Sequence, residues 1–437
     1  MKKLLLISTA IAGVAFMSAP ASAAVKLDLG GFFRGYGVWA DSNEVGTAGA
    51  NDDLREFDLR RDTEVFVTGE TTLDNGLTVG FHTEQDLGGA TMTDEAYAYF
   101  SSGMGRINLG SEDGVAYLLQ VNAPSADSNV DGLRTVIQGI NASPPGNGSN
   151  STVFTAGIPR LRRNTIIDYD HISDSVNNAD RISYMTPKFN GFQAGVSYAP
   201  ESGQNAVANN IAGMNFDDNI GDYEDIWEIA ARWDGEFQGV GLALGGGYSH
   251  ASQEVNATLT VGGAAEDTAP VVSDGLSTWN AGANVSFSGF SLGGAFMRST
   301  TENFDVREVT DASTVFAGKT LDVEMDTWVV GLGYDNGPYH VGASYLRQSQ
   351  ERDASGVAAD GGEVGAVDAD ATRFTVGAGY TFGPGMTFRG AVAWGEFDNA
   401  AIASDAGTSD GVGAAAGPTT ATSQDFTQFT VGTDIQF

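Results

Sequence analysis

Arg34, Arg60, Arg181 and Arg373 each stand beside an apolar or small neighbour in a stretch that alternates. Phe33 and Gly35 flank Arg34, Leu59 precedes Arg60, Ile182 follows Arg181 and Phe374 follows Arg373. In an extended chain successive side chains point to opposite faces. If the apolar neighbours face an apolar medium, these four guanidinium groups face water. Fixed charge on the wall of a narrow aqueous passage selects among ions and polar solutes. Arg61 falls on the opposite phase and points outward, toward a subunit interface or snorkelling to the upper rim. Other chemistries fit less well. There is no cysteine, and the histidines, His82, His171, His250 and His340, are far apart, so neither a thiol-based metal site nor a zinc enzyme is expected. Adjacent carboxylates such as Asp52-Asp53 face apart on a strand. Gly239-Val240-Gly241 lacks the following glycine of a dinucleotide turn. No enzyme and no cofactor are expected.

The elements that position these arginines read as strands. In Phe374–Phe382 every second residue is apolar and the rest are threonine or glycine. The series Trp328, Val330, Leu332, Tyr334 repeats the period, as does Trp279, Ala281, Ala283, Val285, Phe287. Sixteen such stretches, from 25–40 to 424–437, predict an all-β, 16-stranded antiparallel transmembrane barrel. Connections alternate in length. Leu73-Asp74-Asn75-Gly76, Lys188-Phe189-Asn190-Gly191 and Gly383-Pro384-Gly385 make tight turns at one rim, and long acidic linkers such as Glu201–Tyr223 and Glu351–Asp370 lie at the other. Phe189, Phe192, Phe290, Tyr339, Phe382 and Phe388 sit near the tight turns. Trp39, Trp227, Trp279 and Trp328 sit at the opposite strand ends, as two headgroup levels require.

The ends of the chain give the compartment. Lys2-Lys3, an apolar run from Leu4 to Met17 and Ala21-Ser22-Ala23 make a secretory signal peptide over residues 1–23, leaving 24–437 as the barrel domain. The net charge is −34, or −36 without Lys2 and Lys3, which excludes nucleic acid as a partner. Acid-rich stretches such as Asp217-Asp218 and Asp368–Asp370 offer a weak case for Ca²⁺, since no ligand spacing matches a calcium loop.

One stretch breaks the hairpin pattern. From Glu112 to Asp180 the chain passes Pro124, Pro144-Pro145 and Arg160, Arg162 and Arg163 before strand pattern returns. Spacing leaves two readings open: a loop folded into the lumen, or an ordinary external loop.

Thr430, Gly432, Ile435 and the terminal Phe437 resemble the assembly signal of bacterial outer-membrane barrels. Asp74–Gly80, Asp94–Tyr97 with Gly105–Gly110, and Ile182–Pro187 with Gly191-Phe192 resemble the general trimeric porins of Gram-negative bacteria. The resemblance implies a homotrimer in the bacterial outer membrane, reached through the periplasm. Its partners would be membrane lipid and lipopolysaccharide, and it would pass small polar solutes and ions by passive diffusion. It also implies that the third external loop, here 112–180, folds inward and sets acidic groups against basic ones on the wall. Glu112, Asp113, Asp127 and Asp131 match the acidic side; Arg34, Arg60, Arg181 and Arg373 match the basic side, near mid-height. Arg160, Arg162 and Arg163 would join the basic side or anchor the loop's return. The net charge suggests mild cation preference. The competing reading is a barrel whose long loops bind a partner, as an adhesin.

Overall fold

The computed structural model describes residues 25–42, 56–87, 93–126, 171, 178–202, 223–253, 275–306, 319–355, 369–400 and 422–437. The signal peptide, Asp127, Asp131, Arg160, Arg162, Arg163 and Asp217-Asp218 lie outside these residues. Sixteen antiparallel strands close into one barrel, each paired with its neighbours in sequence and β1 with β16. They are β1 (Lys26–Ser42), β2 (Phe57–Thr72), β3 (Thr78–Asp86), β4 (Ala96–Ser102), β5 (Gly105–Ser111), β6 (Asp180–Met185), β7 (Phe192–Glu201), β8 (Tyr223–Phe237), β9 (Val240–Gln253), β10 (Gly275–Phe287), β11 (Phe290–Val306), β12 (Lys319–Asn336), β13 (Tyr339–Ser355), β14 (Ala369–Gly383), β15 (Met386–Ala400) and β16 (Thr422–Gln436). One short helix, α1 (Val115–Leu118), follows β5.

Two chemistries alternate along each strand. On β8, Trp227 and Ile229 are exposed while Glu228 and Ala230 are buried. On β11, Phe290 and Leu292 are exposed while Ala295 and Met297 are buried. The exposed apolar face of a closed barrel is its outside, and hydrocarbon is the solvent that suits it. The expected aromatic residues all lie on this face, near the tight turns and at the far strand ends. Trp39 packs against Phe57 and Phe429, and Phe382 against Phe388.

Tight turns hold the register at one rim. Asn190-Gly191, Gln238-Gly239 and Ser288-Gly289 each place two successive residues at positive φ. That is a type I′ turn, whose twist matches the strands it joins. The barrel seam is closed by Phe32↔Gln436 through Ser42↔Phe426. Beyond it, Gly31 and Phe437 exchange backbone hydrogen bonds of 2.9 and 3.0 Å. Thr430 and Gly432 sit on the inward phase of this last strand, where Cβ on Gly432 would overlap the Gly35 carbonyl oxygen.

Strand lengths vary around the wall. Strands β3 to β6 have nine, seven, seven and six residues, whereas β11 to β13 have 17 or 18. The long strands run past the ends predicted from apolar alternation, because ladder hydrogen bonds need no apolar side chain. Strand β6 stops at Met185, two residues before Pro187, which has no N–H to donate.

Candidate functional site

The inner wall divides into two sectors. On β9 to β13 the inward phase is rich in glycine: Gly245 and Gly247 on β9, Gly282 on β10, Gly293 on β11, Gly331 on β12 and Gly342 on β13. These glycines are close-approach positions. A Cβ on Gly245 would lie 2.7 Å from Val121 Cγ2, on Gly293 3.1 Å from Pro124 Cδ, and on Gly342 2.8 Å from the Ala126 carbonyl oxygen. On Gly282 and Gly331 it would overlap the carbonyl oxygens of Val121 and Pro124. The missing side chains form a groove across successive strands, and residues 115–126 lie in it.

Hydrogen bonds hold this segment to inward-facing side chains. Asn280 Nδ2 donates to the Ala116 carbonyl oxygen at 3.2 Å, Arg232 Nη1 to that of Gln120 at 3.2 Å, and His340 Nε2 to that of Ser125 at 3.2 Å. Val115 and Leu119 are buried against Ala230, with Met185 packed beside them. His171, on the return of the excursion, bridges Ser249 Oγ at 2.8 Å and Asn280 Nδ2 at 2.7 Å.

The second sector, β1 to β6, presents charge and aromatic rings. Arg34 faces inward, buried, with Nη1 3.1 Å from Asp62 Oδ2. Arg181 is buried and places Nη1 2.8 Å from Glu228 Oε1, while Glu228 Oε2 accepts the Ala116 N–H at 2.9 Å. One carboxylate thus ties a wall arginine to the seated segment. Arg389 contacts Asp434, which also receives the Tyr36 hydroxyl. Arg373 is buried on the inward phase of β14. Arg60 is half exposed near the upper end of β2, 3.8 Å from Asp58, closer to the mouth than the expected mid-height. Arg61 pairs with Gly35 on the outward phase.

On the acidic side, Glu112 is buried with both carboxylate oxygens accepting from Asn108 Nδ2, at 2.7 and 2.6 Å. Burial pushes its carboxyl above the usual range, against the pull of Asn108. The Asp113 N–H is donated to Glu95 Oε1 at 3.2 Å. Burial, then the nearby Asp113, Glu84 and Glu112, push the Glu95 carboxyl up to about 9. Glu112 and Asp113 thus belong to a larger acidic nest that single-residue parity does not reveal. The ligand atoms of His82, Glu84 and Glu95 lie within 4.8 Å of one another, as do those of Glu64, Glu84 and Asp94. These donor sets have the reach to hold a cation. The signal for them in sequence was their shared phase: Glu64 on β2, and His82 and Glu84 on β3, all face inward.

A family model for Gram-negative porins matches residues 8–400. The chain belongs to the Gram-negative porins. Among solved porins and outer-membrane proteins, the anion-selective porin from Comamonas acidovorans covers 95% of this chain and 100% of its own at 17% identity, with a TM-score of 0.53. OmpT of Vibrio cholerae covers 95% and 98% at 14% identity with a TM-score of 0.52, and a trimer form of it gives the same score at 12% identity. At such identities the likeness is one of fold. An uncharacterised protein of Rickettsia bellii is 42% identical over 53 residues, a stretch that spans 12% of that relative. Porin membership places the chain in the bacterial outer membrane. It favours a channel over a surface adhesin and over a catalyst.

Proposed function

We propose that this porin forms a homotrimeric, water-filled channel through which small hydrophilic solutes and ions diffuse passively, with modest preference for cations. The excursion 112–180 narrows the lumen. The observation that carries this reading is the seating of residues 115–126 in the glycine groove. Backbone laid against the inward face of a closed barrel takes cross-section from the passage. The trimer form of the Vibrio neighbour supports the oligomeric state.

Charge on the wall supports the preference. Arg34, Arg181 and Arg389 each face a wall carboxylate at close range. Their charge is locally balanced, which weakens them as a basic half of a transverse field. Glu84, by contrast, forms no ion pair with lysine or arginine among the described residues; its partner is the His82 imidazole, with Nε2 at 2.9 Å. Confined water screens such charges less than bulk does, where screening acts beyond about 8 Å at physiological salt. The Comamonas neighbour is anion-selective by its description. The prediction for this chain has the opposite sign.

Reversal potentials in a KCl gradient across planar bilayers test both parts. The expected result is a stepwise conductance with a potential of the sign set by potassium. Chloride preference would overturn the selectivity, and the absence of any conductance would overturn the channel.

A further inference from the structure

The rings on the inward face of β1 to β4 form a continuous band. Ring centroids of Phe32 and Phe66 are 5.9 Å apart, those of Phe66 and His82 6.1 Å, and those of His82 and Tyr97 5.4 Å. All four residues lie on the phase opposite the lipid-facing Phe33, Val65, Phe81 and Ala98. Aromatic rings on a water-facing wall expose apolar surface, which is unfavourable unless something covers it.

The molecule itself puts cations beside this band. The Arg34 guanidinium carbon lies 4.0 Å from the Phe32 centroid, at one end. At the other, that of Arg106 lies 4.0 Å from the neighbouring Tyr99 ring and 5.9 Å from Tyr97. Between the two ends, no lysine or arginine stacks on Phe66 among the described residues. Carboxylates surround that gap. Glu64 is directly opposite Phe32 and Glu84 directly opposite Phe66 in the strand register. Glu84 is shared by both groups of close ligand atoms, one with His82 and Glu95 and one with Glu64 and Asp94. Thr68 Oγ1, 2.6 Å from His82 Nδ1, fixes the imidazole plane within the band.

Glu84 is met by an imidazole, His82 Nε2 at 2.9 Å, and by no lysine or arginine among the described residues. A ring face beside such a carboxylate suits one class of solute: an organic cation, whose charge meets the acid and whose apolar shell meets the ring. We propose that Phe66, Tyr97, Glu64 and Glu84 form a subsite in the channel for organic ammonium or guanidinium compounds. This rests on the channel reading above and names the solute class that the passage retains. A bare metal ion would use the carboxylates and His82 but gain little from Phe66. The aromatic band is the feature that separates the two.

The test uses the full-length protein purified in detergent, with choline chloride as the probe. Isothermal titration should give saturable binding of choline. Phe66→Leu should weaken it about tenfold, the scale of one partly desolvated cation–π contact, and Glu84→Gln should weaken it at least as much. In planar bilayers, choline-carried current should saturate with concentration, and Phe66→Leu should move the half-saturating concentration. Circular dichroism of each variant establishes that the barrel is intact. Choline binding that is absent, or that Phe66→Leu leaves unchanged, would overturn the subsite. So would Ca²⁺ displacing choline equally well from the wild type and from Phe66→Leu, which assigns the site to a metal. Loss of KCl current in the wild type would instead overturn the channel reading, while titration still judges the binding.

Discussion

The two halves of the inner wall solve opposite problems. Across β9 to β13, small residues remove bulk so that another piece of backbone can approach: Gly245, Gly282, Gly293, Gly331 and Gly342 face Val121, Pro124 and Ala126. Across β1 to β5, the same inward phase carries Arg34, Glu64, Phe66, Glu84, Tyr97 and Arg106, side chains that reach away from the wall. One half is a seat, and the other presents charge and rings on the same inward phase. Both meet at Glu228 and Arg181, where the seated segment is tied to the charged sector.

The largest effect should come from breaking that junction. Glu228→Ala takes from the buried Arg181 its carboxylate partner and from the Ala116 N–H its acceptor. Losing one member of a buried pair costs about 3–5 kcal/mol. The heat-dissociation temperature should fall sharply, while Glu228→Leu combined with Arg181→Met should recover most of the loss. If the single variant melts like the wild type, the two sectors are not coupled here.

Filling the seat comes next. Gly282→Leu places a side chain where the Val121 carbonyl oxygen lies, so the segment must leave the groove. Single-channel conductance should rise and ion preference should weaken. Ala283→Leu, one residue along and facing lipid, should change neither. Equal conductance in the two variants would refute the seat.

The acidic nest gives a pH dependence. Glu95 titrates near 9 in the folded protein and Glu112 is raised as well, whereas a free glutamate titrates at about 4.3. The folded state therefore holds these protons more tightly than the unfolded one. Their contribution to stability is fully present below the unfolded value and is lost as pH rises toward about 9. Heat-dissociation temperatures should decline over that window, and Glu95→Gln should flatten the decline. Cation preference should grow only as pH passes through about 9, where the folded-state Glu95 carboxyl ionises.

Arg34→Gln should act least. Its charge already faces Asp62 at 3.1 Å, so the reversal potential should move slightly toward cations and KCl conductance should hold. A large shift would mean that Arg34 faces the solute as an independent charge.

Much of the fold was legible in the sequence, and less of the site. Period two in stretches such as Trp328–Tyr334 fixes which face meets lipid, and Asn190-Gly191 fixes where a hairpin turns. Parity also placed Arg34 and Arg181 inward. It could not show that Asp62 and Glu228 stand opposite them, because a cross-strand partner depends on register, which a single strand does not carry. The groove was visible in part. Gly245 and Gly247 share a phase opposite Leu244 and Tyr248, but glycine within a strand equally marks a bulge or a bend. Only the approach of Val121 and Pro124 separates these meanings. The inward phase of Glu64 and Glu84 was legible, but their proximity was not, because it is the register of β2 on β3 that brings them together.

The central claim is that the segment after β5 is seated on the inner wall. The chain has no cysteine of its own, so a paired substitution can read the contact without background. A Cβ built on Gly247 lies 3.0 Å from the Ala116 Cβ, so a shift of about half an ångström brings the pair into the roughly 3.5–4.5 Å span of disulfides. Ala116→Cys with Gly247→Cys should form an intramolecular disulfide on oxidation, seen by mobility on non-reducing gels, in a channel whose conductance matches the wild type. Two thiols that stay free and react fully with a maleimide from the aqueous phase would contradict the seat and the narrowed channel built on it.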